Sequence, residues 1–446
     1  MRKSFLLILA TSCIVFTCKN IDTADPSPRS TFIKFYEGPK TMEAAALEKI
    51  PGGFVILANT IASSTDESII QTVLIETDEN GNRKGDFHRY DNITGKSFKA
   101  IVSNGSVSGY IIVGDRIYTN PLEPQAANVL IYSMSVLVLN GSFQEVKRVS
   151  ISDTKPLSNN HPVKDDYYGG SVNLTGTGSA IVLGTVREGI VNQQSAPAEQ
   201  LLFGLDANLD SSWVKRYPLL SNTYANAKSI HYSNGNIIWA SAIADIQGDF
   251  TSSYVTVPFV KEQSVPVNFS TLKENTTQLF LPNDIQPASS PAFGYGVVGT
   301  YSEALDGSEG NMFFLRVGTD GNIIPESDRY FDGITSFTSA TVDQNTSEII
   351  DSGEAITSTS DGGFALAGTI TTIPEKGNGG KDILLVKVNA AGDLVWIKTI
   401  GGTGDEVPTA ITEASNGDLI VCGTNTLSGY ASVFLMRADK NGDLKN

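Results

Sequence analysis

SDGGFALAGT, residues 360–369, is a polar turn followed by a short apolar strand that ends in Gly-Thr. SNGDLIVCGT (415–424) repeats it near the C-terminus. Weaker copies lie at PGGFVILANT (51–60), VSGYIIVGDR (107–116), TGSAIVLGTV (177–186), NGNIIWASAI (234–243) and AFGYGVVGTY (292–301). The first strand residues after these turns are Phe54, Tyr110, Ala180, Ile237, Tyr295, Phe364 and Leu419, spaced by 56, 70, 57, 58, 69 and 55 residues. Self-similarity at such a period is the signature of a repeat architecture and has to be read before domains are counted. Four residues beyond each anchor stands a small residue: Ala58, Gly114, Gly184, Ser241, Gly299, Gly368 and Gly423. A small residue there lets neighbouring sheets pack closely, or lets the chain leave the sheet.

Each unit has a second half. An apolar strand and an Asx-type turn recur at VLIETDENGN (73–82), FFLRVGTDGN (313–322), LLVKVNAAGD (384–393) and FLMRADKNGD (434–443), with Gly81, Gly321, Gly392 and Gly442 at one position. Glycine there takes the left-handed conformation that closes a hairpin. These turns lack the full ligand spacing and distal Glu of an EF-hand, so they read as turns rather than calcium loops. One more strand follows, as in SSWVKRY (211–217) and LVWIKTI (394–400). Four strands per unit, seven times over, predict an all-β chain folded as a seven-bladed β-propeller.

The last unit stops after three strands, whereas STFIKFYEG (30–38) stands alone ahead of the first. Phe32-Ile33-Lys34 matches Trp213-Val214-Lys215 and Trp396-Ile397-Lys398 of the fourth strands. Residues 31–37 are therefore expected to pair with 433–438 and close the ring. Residues 31–446 then form a single propeller.

The elements DGG-F-x-x-x-G-T (361–369) and W-I-K-T-I-G-G-T-G-D-E (396–406) resemble the repeats of bacterial secreted seven-bladed β-propeller proteins, common among Bacteroidota-type lipoproteins. The resemblance is good in units six and seven, fair in one and five, and poor in two to four. It implies a scaffold class with no single activity attached, since propellers host both enzymes and binding platforms.

The N-terminus reads as an export signal. MRK precedes the apolar run FLLILATSCIVF (5–16), which is too short to span a bilayer. Residues 1–18 are expected to be a lipoprotein signal peptide, with Cys18 as the lipidated residue and Cys13 as the alternative. Residues 19–30, KNIDTADPSPRS, are expected to be a flexible tether. With Cys18 acylated, Cys422 is the only other mature cysteine; in an apolar strand it reads as inert core. The expected location is the outer membrane, by lipid anchor, with the side of the membrane, cell surface or interior, left open. The chain carries 32 basic and 48 acidic residues, a formal net charge of −16. That argues against nucleic acid or anionic lipid as the principal partner.

Blade-to-blade loops emerge where the first strand of each blade begins, and binding residues favour such loops. They are read to hold Glu43, Asp165, Asp166, Tyr167, Tyr168, Tyr224, Asp284, Asp351, Glu354, Asp405 and Glu406. Converging carboxylates offer oxygen ligands to Ca2+, and tyrosines offer a stacking surface to a sugar or peptide. The same residues also fit solvated turns, with Asp405 cementing its own loop. Catalytic signatures are sparse. His88, His161 and His231 fall in different units without metal spacing, and no G-x-S-x-G elbow occurs. His161 in HPVKDDYYGG (161–170) stands near two aspartates but fits a polar loop. The expectation is a non-catalytic binding or protein-interaction module for a protein or glycan, with no cofactor required. The alternatives are a carbohydrate-active hydrolase or lyase using mouth carboxylates, and a structural subunit of a surface assembly.

Overall fold

A computed structural model describes residues 31–444 except 39, 61–69, 120–129, 154–164, 176–178, 188–197, 218–222, 234, 246–252, 262–267, 273–278, 291–292, 303–309, 332–335, 338–350 and 372–379. The expected leader with Cys13 and Cys18, the expected tether and His161 lie outside the described residues.

Seven antiparallel sheets follow one another around a ring. The first is Met42–Ile50, Gly53–Thr60, Gln71–Asp78 and His88–Asp91. The second opens at Thr94–Ser103, the third at Asp166–Leu174, the fourth at Thr223–Ser233, the fifth at Leu279–Pro287 and the sixth at Asp351–Ser358. The seventh is Asp405–Glu413, Leu419–Leu427 and Tyr430–Ala438, completed by Phe32–Tyr36. The fifth blade adds a two-residue strand, Ser336–Phe337, at its outer edge. Phe32 pairs with Arg437 and Tyr36 with Val433, so the N-terminal strand closes the ring in the expected register.

Seven apolar clusters hold this ring together, one at each blade boundary. Strand two of blade one shows why. Phe54, Ile56 and Ala58 pack toward blade seven, whereas Val55 and Leu57 pack toward blade two. A strand buried on both faces needs no polar alternation, so it reads as a continuous apolar run. Cys422 is one member, fully buried, its thiol pushed up to about 12 by that burial.

The hairpin turns follow their chemistry. Asp78 accepts the N–H of Gly81 on its carbonyl at 3.1 Å, and its Oδ1 accepts the amides of Asn80 and Asn82. Gly81 has φ +70°, and Gly442 φ +77°. A Cβ at Gly442 would lie 2.8 Å from the Trp396 ring of the preceding blade, so glycine also makes room for the neighbour.

Candidate functional site

Every first strand carries one β-bulge at the same place. Pairing with strand two skips Ala45, Lys96, Gly170, Lys228, Asn283, Glu354 and Thr409, one per blade. All seven line a central cavity of about 730 Å³. The residue before each bulge lies opposite the recurrent small residue of strand two: Ala44 faces Ala58, Gly95 faces Gly114, and Gly353 faces Gly368. A Cβ on Gly368 would sit 1.7 Å from the Ser352 carbonyl oxygen, and one on Gly423 2.2 Å from that of Val407. The repeated small residue therefore accommodates the bulge, which adds local bend and twist and re-aims one residue per blade. Pro282 and Pro408 precede two of the bulges, positions where a missing N–H is tolerated.

Amides near the bulge are taken up by neighbouring blades. Ala44 N–H donates to Thr424 Oγ1 of blade seven at 3.0 Å. Gly95 N–H donates to Asn59 Oδ1 of blade one at 2.8 Å, and Gly169 N–H to Asp115 Oδ1 of blade two at 2.7 Å. Each acceptor directly follows the small residue of its own strand two, and Thr424 is the Thr of a Gly-Thr end.

The residues placed on loops by sequence lie, with the exception of Asp165, on the first strands themselves. Ladder pairing with strand two extends up to them. Glu43 is exposed opposite Asn59. Asp165 is buried just ahead of its strand, with its N–H on Asp153 Oδ2 at 3.1 Å. Asp166 accepts the Tyr132 N–H at 3.1 Å, and burial raises its carboxyl above the usual range. Tyr167 is core, its hydroxyl bonded by Arg216. Asp351 is fully buried opposite Ile370. Asp405 Oδ1 accepts the Lys381 N–H at 3.0 Å, tying blade seven to blade six. Glu406 is buried and accepts the Gly402 N–H at 2.9 Å; burial raises its carboxyl, against that bond and together with Asp382 and Asp405. Of the predicted residues whose side chains are described, only Tyr168, Glu354 and Asp284 line the cavity. Tyr224 also lies on a first strand, Thr223–Ser233. Among the described residues no group of three His, Cys, Asp or Glu side chains is placed to hold a metal ion.

Within the cavity wall Asp284 is structural. Its carboxylate accepts from Ser229 Oγ at 2.7 Å and from the Ile356 N–H at 3.1 Å, joining blades four, five and six; burial raises its carboxyl. Glu354 Oε1 accepts from Ser352 Oγ at 2.8 Å. Burial raises the Glu354 carboxyl, while that bond, Lys228 and Lys381 oppose the shift. Lys228 reaches channel water but is hemmed in by the wall, and that desolvation lowers its ammonium; Glu354 opposes the shift and Lys96 adds to it. Lys96 sits 3.3 Å from Asp115, and Lys99 3.0 Å from Glu48. Arg187 lies 5.5 Å over the Tyr168 ring, and the Tyr132 ring packs against that same ring with centroids 4.9 Å apart.

Sequence reasoning overlooked the lysines. Their signal is a small residue, any residue, then a small or short polar one, as in Gly95-Lys96-Ser97, Ala227-Lys228-Ser229 and Gly353-Glu354-Ala355.

No protein-family model matches the chain, and no curated protein matches it. Among solved structures it is similar to the polysaccharide lyase Uly1, at 9% identity and TM-score 0.48, covering 90% of each chain. It is also similar to the β-propeller domain of the Trilobed protease from Pyrococcus furiosus, at 8% identity and TM-score 0.41, covering 92% of this chain and 97% of that one. A sialidase of Trypanosoma rangeli matches at 12% identity and TM-score 0.40, over 82% of this chain and 56% of that one. The seven sheets themselves, and their closure by the first strand, make the chain a seven-bladed β-propeller.

Proposed function

We propose that the chain is an exported, lipid-anchored propeller of the outer membrane that binds a protein or glycan partner without catalysis, through the face where its first strands begin. The leader sequence and Cys18 support the address. The observation that carries the binding role is how the polar residues of that face are held. Asp166, Asp405 and Glu406 each accept a backbone amide. Such side chains make a rigid platform and are poorly placed to shuttle protons. Calcium is a further candidate ligand for this face.

Glu354 favours a second reading, a carbohydrate-active hydrolase or lyase, because a carboxyl raised by burial beside a lysine suits general acid work. One experiment tests the two. Cross-linking capture on intact cells compares the wild type with a Tyr168→Ala/Glu354→Ala variant, alongside assays on a polysaccharide panel with and without chelator. Capture lost in the variant, without polysaccharide cleavage, is expected. Equal capture by both proteins, or cleavage by the wild type, overturns the reading.

A further inference from the structure

We propose that the central channel binds a hydroxyl-rich ligand bearing a carboxylate or phosphate, that is, an acidic sugar, with Lys228 and Lys96 as its anion-binding side chains. The inference rests on the binding-module reading and moves its centre from the rim into the channel.

The charge of the channel is opposite to that of the chain. Lys49, Lys96, Lys99, Arg187 and Lys228 face the cavity, against Glu48, Asp284 and Glu354. The whole sequence has 48 acidic residues to 32 basic. The three carboxylates are already engaged: Glu48 by Lys99, Asp284 by Ser229 and the Ile356 amide, and Glu354 by Ser352. The carboxylate that meets Lys96, Asp115, also holds the Gly169 amide. Lys228 makes no hydrogen bond or ion pair within contact distance of another described residue; its electrostatic partners are Glu354, which attracts it, and Lys96, which repels it.

The bulges explain why the two ammonium groups point to one space. Lys96 and Lys228 occupy the same ring position, two blades apart. Their repulsion inside a crowded wall is relieved by an anion between them. The rest of the lining suits hydroxyl groups. Asn173, Gln286, Thr357 and Thr412 add amides and hydroxyls below the ring, and Asn283 and Thr409 stand in it. Tyr168, held between Arg187 and Tyr132, lines the end where the strands begin. The volume, about 730 Å³, falls within the range of small-molecule sites.

The test is calorimetric titration of the mature protein with glucuronate, glucose 6-phosphate and glucose. At least one acidic sugar is expected to bind about tenfold or more tightly than glucose, with affinity falling as salt rises. The tighter of the two acidic probes identifies the anion. Lys228→Met is expected to remove that preference and Lys228→Arg to restore it, with thermal midpoints unchanged and Lys440→Met without effect. Equal affinity for acidic and neutral sugars, or no binding of any probe, overturns the ligand class. Preference intact in Lys228→Met overturns the channel assignment while leaving the binding-module reading standing. Conversion of a bound probe to products, followed by NMR, overturns the non-catalytic reading and leaves the channel assignment in place.

Discussion

Lys398 Nζ donates a 2.7 Å bond to Asp443 Oδ1 across the boundary between blades six and seven. The same device recurs around the ring. Lys34 reaches Asn82, Lys147 reaches Asp210, and Arg329 reaches Asp393, each from a fourth strand to the turn of the next blade. The aromatic–branched–lysine pattern of the fourth strands is thus an inter-blade tie as well as a strand signal. The Lys398–Asp443 pair is partly solvated, so a double-mutant cycle on Lys398→Ala and Asp443→Ala is expected to give a coupling of about 1 kcal/mol or less. Denaturant unfolding of the four proteins measures it.

Closure depends far more on burial. Tyr36 is 6% exposed, packs in the cluster between blades seven and one, and donates to the Gly81 carbonyl at 2.7 Å. Tyr36→Phe is expected to cost about 1 kcal/mol, and Tyr36→Ala about 3–5 kcal/mol. Deleting residues 30–38 uncovers the edge of Tyr430–Ala438 as well. It should lower the melting temperature sharply and promote association. A deletion variant that melts with the wild type would defeat the closure argument.

The recurrent glycine can be tested against its own repeats. Gly368→Ala drives a Cβ into the Ser352 carbonyl, backbone that cannot swing away, and is expected to cost about 2–4 kcal/mol. Blade one tolerates Ala58 at the equivalent position, so Ala58→Gly is expected to cost only about 1 kcal/mol. Equal costs at the two sites would show that the bulge does not set the requirement.

Blade number and closure were legible because they rest on local pattern. Gly81, Gly392 and Gly442 declare their turns, and Phe32-Ile33-Lys34 declares a fourth strand, without knowledge of any partner. The channel was hidden for a physical reason. Ring positions are occupied by Ala45, Lys96, Gly170, Lys228, Asn283, Glu354 and Thr409, which share no one chemistry across the seven blades. The bulge asks only that the flanking residues be small or short. Loop assignment also overreached: Asp351, Asp405 and Glu406 look like turn residues, but ladder pairing with Ile370, Thr426 and Asn425 draws them into strands.

Asp284, a loop carboxylate by sequence pattern, is a joint between three blades. Asp284→Ala leaves the Ile356 amide and Ser229 hydroxyl without their acceptor and is expected to cost about 2–4 kcal/mol. Asp284→Asn keeps one carbonyl oxygen and should cost less. Thermal and denaturant unfolding of both variants checks the order; Asn as damaging as Ala would mean that the charge, not the acceptor, matters.

His231 supplies a pH dependence of definite sign. Burial in the wall of blade four, with Lys99 adding to it, pushes its imidazolium down to about 4. Its ring also packs edge-on against Tyr295, with centroids 5.9 Å apart. In the unfolded chain the same group titrates near its ordinary value of 6.5. Between these values the unfolded state binds the extra proton, so this contribution to stability grows as pH rises from about 4 to 6.5 and is lost on acidification. Its full size is on the order of 3 kcal/mol. Asp284 and Glu354 act in the opposite sense, because their raised carboxyls hold protons longer in the folded state and lose that contribution as pH rises. The wild-type curve alone therefore mixes both. The difference between wild type and His231→Gln, taken by urea unfolding at each pH, isolates the histidine. That difference should move in favour of the wild type between pH 4 and 6.5 and be flat above 7. A difference that is level across the range would mean that His231 titrates normally and the wall does not exclude its charge.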